Sequence, residues 1–360
     1  MTPAVAKGSL LTAAVTANPC CMRPTLIATK KRPPLMDTFD RTHTYLRVSI
    51  TDRCNLRCTY CMPAEGVQVN PREHILSFEE IHRLVRIFAA CGVNKVRLTG
   101  GEPLVRKNLE DLVASISATS GIEAVALTTN GVLLAPRARD LKKAGITHLN
   151  MSLDTLRADR FEKIALRARL TEVLEGITAA LDADFIPLKL NVVVIGGTND
   201  DEILDFVEFV RHRPINVRFI EYMPFDQNGW NQKEFVPYAQ MLDLIRARFP
   251  LVPPAQPQHR SDVARDYQIE GFAGSVSFIT SMTQDFCGDC NRIRLTADGA
   301  IKSCLFSNAE LSLRDAMRQG SSDGDLEELI RLAITKKHAG HAPMEELVKL
   351  PNRSMIQIGG

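Results

Sequence analysis

The chain has 360 residues, 45% of them hydrophobic and 24% charged, with a net charge of +2. That length exceeds the ~150 residues of an ordinary domain and predicts one large α/β domain with an appended region. So balanced a charge gives no case for a nucleic acid or a membrane surface as partner, and no apolar run approaches the ~18 residues that span a bilayer.

Residues 1–36 contain no Asp or Glu and carry Lys7, Arg23, Lys30, Lys31 and Arg32 among Ser, Thr and Ala. Organellar transit peptides, disordered bacterial extensions and mistaken start codons all share this texture. The segment is read as a basic, disordered leader outside the fold. The location expected is cytoplasmic, or the mitochondrial matrix if the leader is a transit peptide. Nine cysteines comprise two triplets, Cys54/Cys58/Cys61 and Cys287/Cys290/Cys304, with Cys20, Cys21 and Cys91 left over. Clustered thiols in so long a chain predict metal ligands in a reducing, intracellular compartment rather than a disulfide framework.

The stretch 45–63, YLRVSITDRCNLRCTYCMP, opens as a strand over 45–50, where Leu46, Val48 and Ile50 alternate with Tyr45, Arg47 and Ser49. It then becomes a polar loop presenting Cys54, Cys58 and Cys61 as C-x3-C-x2-C. Three soft thiolates suit zinc or an iron–sulfur cluster. A structural zinc site would need a fourth ligand, for which His43 and His74 are available. An iron–sulfur cluster held by three thiolates leaves one metal position open to a small molecule.

Ser77-x-x-Glu80 is a capping-box pattern that starts a helix reaching residue 90, with Ile81, Leu84, Val85 and Phe88 on one face. A strand over 95–99 then meets GGEP at 100–103. The same unit recurs as helices over 108–118, 136–144, 160–181 and 201–211, and strands over 124–128, 148–153, 188–195 and 216–220. Six strands alternating with helices predict a parallel sheet covered on both faces. With six units rather than eight, the expectation is an incomplete (β/α)6 TIM-like barrel whose working groups sit at strand carboxyl ends. Beyond residue 223 the texture changes. A helix over 238–249, a Pro/Gln-rich 250–260, strands near 266–270 and 275–280, and helices over 313–319 and 325–336 predict an α+β appendage covering the open side. The division is therefore 1–36, 37–223 and 224–360.

Two glycines at a strand end let backbone approach a ligand closely, and Glu102 offers an acceptor for an amine. The second triplet, Cys287-x2-Cys290-x13-Cys304, lies in FCGDCNRIRLTADGAIKSCLF. Its spacing also fits a zinc ribbon completed by His338 or His341. No G-x4-GK[ST] loop is present, so any phosphate must be held by side chains, with Arg favoured. Arg47, Arg97 and Lys189 fall on predicted barrel strands. Arg292 and Arg294 share one strand face, alternating with Ile293 and Leu295.

The string RVSITDRCNLRCTYCMP, with an aromatic before its last cysteine, resembles the signature of radical S-adenosylmethionine (SAM) enzymes. With CNRIRLTADG it resembles the GTP 3′,8-cyclase family of molybdenum-cofactor biosynthesis, over about residues 37–360. The resemblance implies a lyase that converts GTP to 3′,8-cyclo-7,8-dihydro-GTP through hydrogen abstraction from the ribose 3′ carbon by a 5′-deoxyadenosyl radical. It implies two 4Fe-4S clusters, one on Cys54, Cys58 and Cys61 and one on Cys287, Cys290 and Cys304, the second anchoring guanine. SAM contacts are implied for Tyr60, Gly101, Ser152 and Met223, and GTP contacts for Arg47, Arg97, Thr128, Lys189, Arg292, Ile293 and Arg294. The family's final glycine pair, here Gly359 and Gly360, is implied to reach the active site. A homodimer, a low-potential electron donor and hand-off to cyclic pyranopterin monophosphate synthase are implied as well, with no nucleic acid or membrane partner. Two rival readings are a radical SAM enzyme acting on a peptide and a non-catalytic module with zinc in both triplets.

Overall fold

The computed structural model describes residues 1–2, 32–225, 228–254, 260–350 and 352–359. Most of the leader, Cys20, Cys21 and Gly360 lie outside the described residues. The chain divides into two units, Met1–Lys30 and Lys31–Gly360, and the fold is that of the second.

The predicted alternation is present: β1 (Tyr45–Ser49), α1 (Phe78–Ala90), β2 (Lys95–Thr99), α2 (Leu109–Ser117), β3 (Ala124–Thr129), α3 (Ala138–Ala144), β4 (Ile146–Ser152), α4 (Ala158–Ala165), α5 (Leu170–Asp182), β5 (Leu188–Val194), α6 (Ile203–Phe209) and β6 (Ile215–Glu221). Helix α1 begins as the capping box requires. Ser77 Oγ accepts from Glu80 N at 3.1 Å, and the Glu80 carboxylate accepts from Ser77 N at 2.8 Å. The single helix expected over 160–181 is two helices, because Leu166 takes a left-handed φ of +52° between α4 and α5.

Strands β1 to β6 pair in parallel and in chain order, an α/β arrangement consistent with a partial TIM barrel. Strand β5 shows how the strands use their two faces. Leu188, Leu190, Val192 and Val194 are buried in the core, while Lys189, Asn191 and Val193 lie on the opposite face. The sheet therefore has an apolar side against the helices and a polar inner side.

The remaining elements are α7 (Tyr238–Arg246), β7 (Leu251–Val252), β8 (Ala264–Ile269), β9 (Ser275–Ile279), β10 (Arg292–Leu295), β11 (Ala300–Lys302), β12 (Leu311–Ser312), α8 (Leu313–Arg318), α9 (Asp323–Thr335), α10 (Met344–Leu347) and α11 (Met355–Ile358). The region beyond residue 224 also adds strands to the sheet. Strand β9 pairs in parallel with β6, and β10 pairs in parallel with β1, so residues after 224 continue the same sheet from both ends. Neither strand follows a helix. Strand β9 comes out of an antiparallel hairpin with β8, and β10 comes straight from the Cys287–Cys290 loop, so strand–helix alternation does not reveal them.

Candidate active site

The loop after β1 places Cys54, Cys58 and Cys61 on the wall of a cavity of about 200 Å³, together with Tyr60, Gly101, Ser152 and Met223. Gly100 and Gly101 are required by the loop itself. A Cβ on Gly100 would lie 2.5 Å from the Thr51 carbonyl oxygen, and one on Gly101 would lie 2.4 Å from that of Arg53. Gly101 N and Glu102 N each donate 2.8 Å into this backbone, to Thr51 and Arg53. The glycines thus lock β2 to the cysteine loop and leave Gly101 at the chamber wall.

Glu102 is placed differently from the expectation that it receives an amine. It is buried behind the wall, and its carboxylate accepts from Leu104 N (2.9 Å), Thr129 Oγ1 (2.7 Å) and Asn130 N (2.7 Å). Burial raises its pKa to about 7 despite these bonds. It joins the ends of β2 and β3. Tyr60 lines the chamber, and its hydroxyl donates to Asp154 Oδ2 at 2.7 Å; Asp154 Oδ1 accepts from Val193 N at 2.9 Å. Burial lifts the Cys54 thiol to about 11 and also raises Cys58 and Cys61, which face Asp154.

Cys287, Cys290 and Cys304 stand together on a second cavity of about 180 Å³, with Arg47, Thr128, Arg218, Arg292 and Arg294. The two cavities share Thr128, Asn191, Ile220, Met223 and Met355 as common wall, so the triplets line adjoining chambers. Burial raises Cys287 to about 11. Burial also favours the neutral thiol of Cys290, but Arg292 and Lys337 outweigh it and hold that thiol at about 6.

A third cavity of about 330 Å³ adjoins the second through Arg47, Asn150, Arg218 and Arg292, and adds Tyr45, Lys95, Arg97 and Lys189. Register explains this basic wall, because Arg47 lies between Arg97 of β2 and Arg294 of β10. Arg97 donates to the Leu127 carbonyl and to Thr128 Oγ1, both at 3.1 Å. Burial lowers Arg47 and Arg218 to about 10, Arg294 to about 9 and Lys189 to about 8, and nearby cations push the same way. Tyr45, which burial alone would raise, is brought down to about 7 by Arg97 and Arg47. Desolvated cations packed this closely repel one another and suit a polyanion. Asn150 Oδ1, Asn191 Oδ1 and Arg218 Nε are buried without a hydrogen-bond partner among the described residues, as groups that await a ligand would be.

Two other expectations change. Ile293 has no exposed surface and packs in the core, because its side chain points away from the face that carries Arg292 and Arg294. Gly359 does reach the inner face. Arg294 Nη1 donates to its carbonyl at 3.3 Å, and a Cβ there would lie 2.5 Å from Thr99 Oγ1. Lys95, Asn150, Asn191, Arg218 and Asp154 were missed by the sequence reading. Inward parity was the available signal for two of them, since Lys95 lies two residues before Arg97 on β2, and Arg218 of β6 pairs with inward Asn191 of β5.

The zinc alternatives fit poorly. His74 is exposed, and His43 is buried against Asp37 Oδ2 at 3.0 Å. His338 is exposed, and His341 turns both ring nitrogens to carbonyl oxygens, Ala342 at 2.7 Å and Ser281 at 3.1 Å. Among the described residues no three His, Cys, Asp or Glu side chains gather tightly enough to ligate one ion. In a 4Fe-4S cluster each thiolate binds a different iron, so the sulfurs stand farther apart than the ligands of one ion. Three thiols facing a chamber with space beside them fit such a cluster at each triplet.

The chain matches the Radical SAM superfamily over residues 48–210 and the Molybdenum Cofactor Synthesis C family over residues 215–343. It is 51% identical to the mitochondrial GTP 3′,8-cyclase of Arabidopsis thaliana, over 91% of this chain and 83% of that one. It is 48% identical to the GTP 3′,8-cyclase of Pelotomaculum thermopropionicum, over 91% of this chain and all of that one. Human molybdenum cofactor biosynthesis protein 1 is 47% identical over 90% of this chain, which spans 51% of its length. The chain likewise spans about half the length of the slime-mould and mouse relatives. Two solved structures share the fold: Streptococcus suis SuiB bound to S-adenosylmethionine, at 15% identity and a TM-score of 0.52 over 80% of this chain and 68% of that one, and anSMEcpe with bound AdoMet, at 13% and 0.55 over 85% and 81%. The chain belongs to the GTP 3′,8-cyclase family of the radical SAM superfamily.

Proposed function

We propose that this chain converts GTP to 3′,8-cyclo-7,8-dihydro-GTP in the first step of molybdenum cofactor biosynthesis. The observation that carries this reading is the pair of cysteine triplets on adjoining chambers, joined to a basic wall on the inner face of one sheet. Cys54, Cys58 and Cys61 hold one 4Fe-4S cluster, and Cys287, Cys290 and Cys304 hold the other. The first cluster, when bound with SAM and reduced, supplies the 5′-deoxyadenosyl radical that takes hydrogen from the ribose 3′ carbon.

The protein's own contribution is binding, orientation and exclusion of water. Tyr60, Gly101, Ser152 and Met223 hold SAM, with Glu102 keeping Gly101 in place from behind. Arg47, Arg97, Lys189, Arg292 and Arg294, with Lys95 and Arg218, hold the triphosphate. Thr128 lies where the nucleotide passes between chambers, and Ile293 fixes the register of its neighbouring arginines. Met355 and Ile356 close the SAM chamber, and Gly359 with Gly360 completes it. Residues 37–223 form an incomplete (β/α)6 barrel, and residues 224–360 cover its open side. The enzyme works as a homodimer, takes electrons from a low-potential donor and hands its product to cyclic pyranopterin monophosphate synthase. Its location is cytoplasmic, or the mitochondrial matrix if residues 1–36 are a transit peptide; a fusion of those residues to a fluorescent reporter decides between them.

The test is anaerobic incubation with GTP, SAM and dithionite. The expected result is 5′-deoxyadenosine in step with the cyclised nucleotide and dependent on GTP. Absence of 5′-deoxyadenosine from an enzyme loaded with both clusters overturns the proposal, and cleavage of SAM that depends on a peptide instead favours the peptide reading.

A further inference from the structure

Next to the second triplet stands a cation that neither the motifs nor the reaction accounts for. Lys337, just past the end of α9, is only 5% exposed. Burying an ammonium ion costs several kcal/mol unless anions or good acceptors surround it. Lys337 Nζ donates to Cys290 Sγ at 3.2 Å, to the Arg292 carbonyl at 3.0 Å and to the Cys290 carbonyl at 3.4 Å. Burial lowers its pKa, and the neighbouring Cys290 and Cys304 sulfurs oppose that shift. From another direction Arg292 Nη2 donates to the same sulfur at 3.3 Å. The first triplet is served differently, since Cys54 Sγ receives the neutral donors Leu56 N at 3.4 Å and Asn130 Nδ2 at 3.8 Å.

The reach of Lys337 is fixed by a second buried cation. Arg41 donates to the carbonyls of Cys287 (2.6 Å), His338 (2.7 Å) and Ala339 (2.8 Å), and its Nε pairs with Asp37 Oδ2 at 2.7 Å. One guanidinium thus ties the loop that carries Cys287 to the residues directly after Lys337. The clamp holds the backbone on either side of the contact, and the three bonds of Nζ itself set where the ammonium sits.

We infer that Lys337 is a positioning residue that raises the reduction potential of the second cluster through its charged hydrogen bond to Cys290 Sγ. A donor on a ligating sulfur withdraws charge from the cluster, and a nearby cation stabilises the reduced state, which carries one more negative charge. The inference rests on the second triplet holding a cluster.

The experiment compares wild type with Lys337→Gln, Lys337→Met and Lys337→Arg. Iron and sulfide per chain are measured first, then each cluster is titrated against potential by EPR. Each oxidised cluster takes one electron from dithionite, and no bond in the protein forms or breaks. The signal that changes on adding SAM marks the first cluster. In Lys337→Gln and Lys337→Met, the reduced-to-oxidised ratio of the second cluster at a fixed potential is expected to fall about tenfold, equivalent to ~59 mV for one electron. Lys337→Arg is expected to match wild type, and the first cluster to stay unchanged throughout. Lys337→Gln keeps a donor for the carbonyls, so it carries the test if Lys337→Met loses its fold. An unchanged potential in Lys337→Gln with both clusters present overturns the inference, as does loss of the second cluster from both neutral variants, which would assign Lys337 to assembly instead. Iron for only one cluster in wild type overturns the cluster reading itself, and does so before any variant is titrated.

Discussion

Arg218 is a side chain that, on the proposed function, serves binding at the expense of stability. It is buried, its Nε has no hydrogen-bond partner among the described residues, and burial together with Arg97 lowers its pKa to about 10. Arg97 and Arg47 repel it, and Tyr45 and Asp266 offset part of that repulsion. Arg218→Met should therefore raise the melting temperature of the nucleotide-free protein while weakening GTP by about 1.5–3 kcal/mol, the worth of a charged hydrogen bond. Thermal shifts with and without GTP read both effects, and an unaltered GTP affinity would remove Arg218 from the site. His43 offers a prediction of the other kind. Burial and then the Lys337 charge lower its pKa from 6.5 to about 4, against the pull of Asp37. The unfolded chain therefore binds a proton near pH 6.5 that the folded chain refuses until about pH 4, so this stability is lost as pH falls through that window. Relative to a His43→Gln variant, wild type should lose about 1 kcal/mol between pH 8 and pH 6. Denaturant titrations at the two pH values measure it, and equal losses in both proteins would show that His43 does not titrate in this way.

At the scale of elements, what the sequence made legible is what local rules decide. The Ser77–Glu80 box marked the start of α1, and the alternation of Leu46 and Val48 with Arg47 marked both faces of β1. The cysteine spacing and GGEP announced the site, because thiols and close backbone approach leave few alternatives. Long-range pairing was not legible, since nothing near Arg292 says that β10 lies beside β1. Nor was the part played by Glu102, whose donors come partly from the end of β3. The segment carrying α11 depends on such distant contacts. Arg353 bridges Asp298 and Glu310, and buried Lys302 joins Glu310 at 3.0 Å to Asn352 at 3.3 Å. That clamp aims Met355 and Ile356 at the chambers and brings Gly359, at φ +77°, against Ser49 and Thr99. An added methyl at Gly359 meets both neighbours and disfavours the left-handed backbone. Gly359→Ala should therefore cost about 100-fold in turnover by displacing α11, as a small misplacement of positioning groups does, while the melting temperature holds. Turnover within twofold of wild type would show that α11 does not need its present seat.

For the whole molecule, the arrangement divides the two cysteine triplets between parts of the chain that local sequence does not connect. Cys54, Cys58 and Cys61 follow β1, whereas Cys287 and Cys290 precede β10 and Cys304 follows β11. Because β10 pairs with β1, the second triplet is delivered to the same inner face as the first. The chambers share Met223 and Met355, yet no thiol of one triplet lines the other's cavity. Each centre should therefore be removable alone. In Cys304→Ala the protein should retain about half its iron and sulfide, since one of two four-iron clusters loses a ligand. SAM should still bind and still perturb the EPR signal of the remaining cluster. On the proposed function GTP affinity should fall, because the basic wall would keep the triphosphate while guanine would lose its metal anchor. Equilibrium dialysis with each ligand, beside iron analysis, separates these effects. Undiminished GTP binding by a protein with half its iron would mean that the wall alone holds the nucleotide, and that the second triplet serves some purpose other than anchoring substrate.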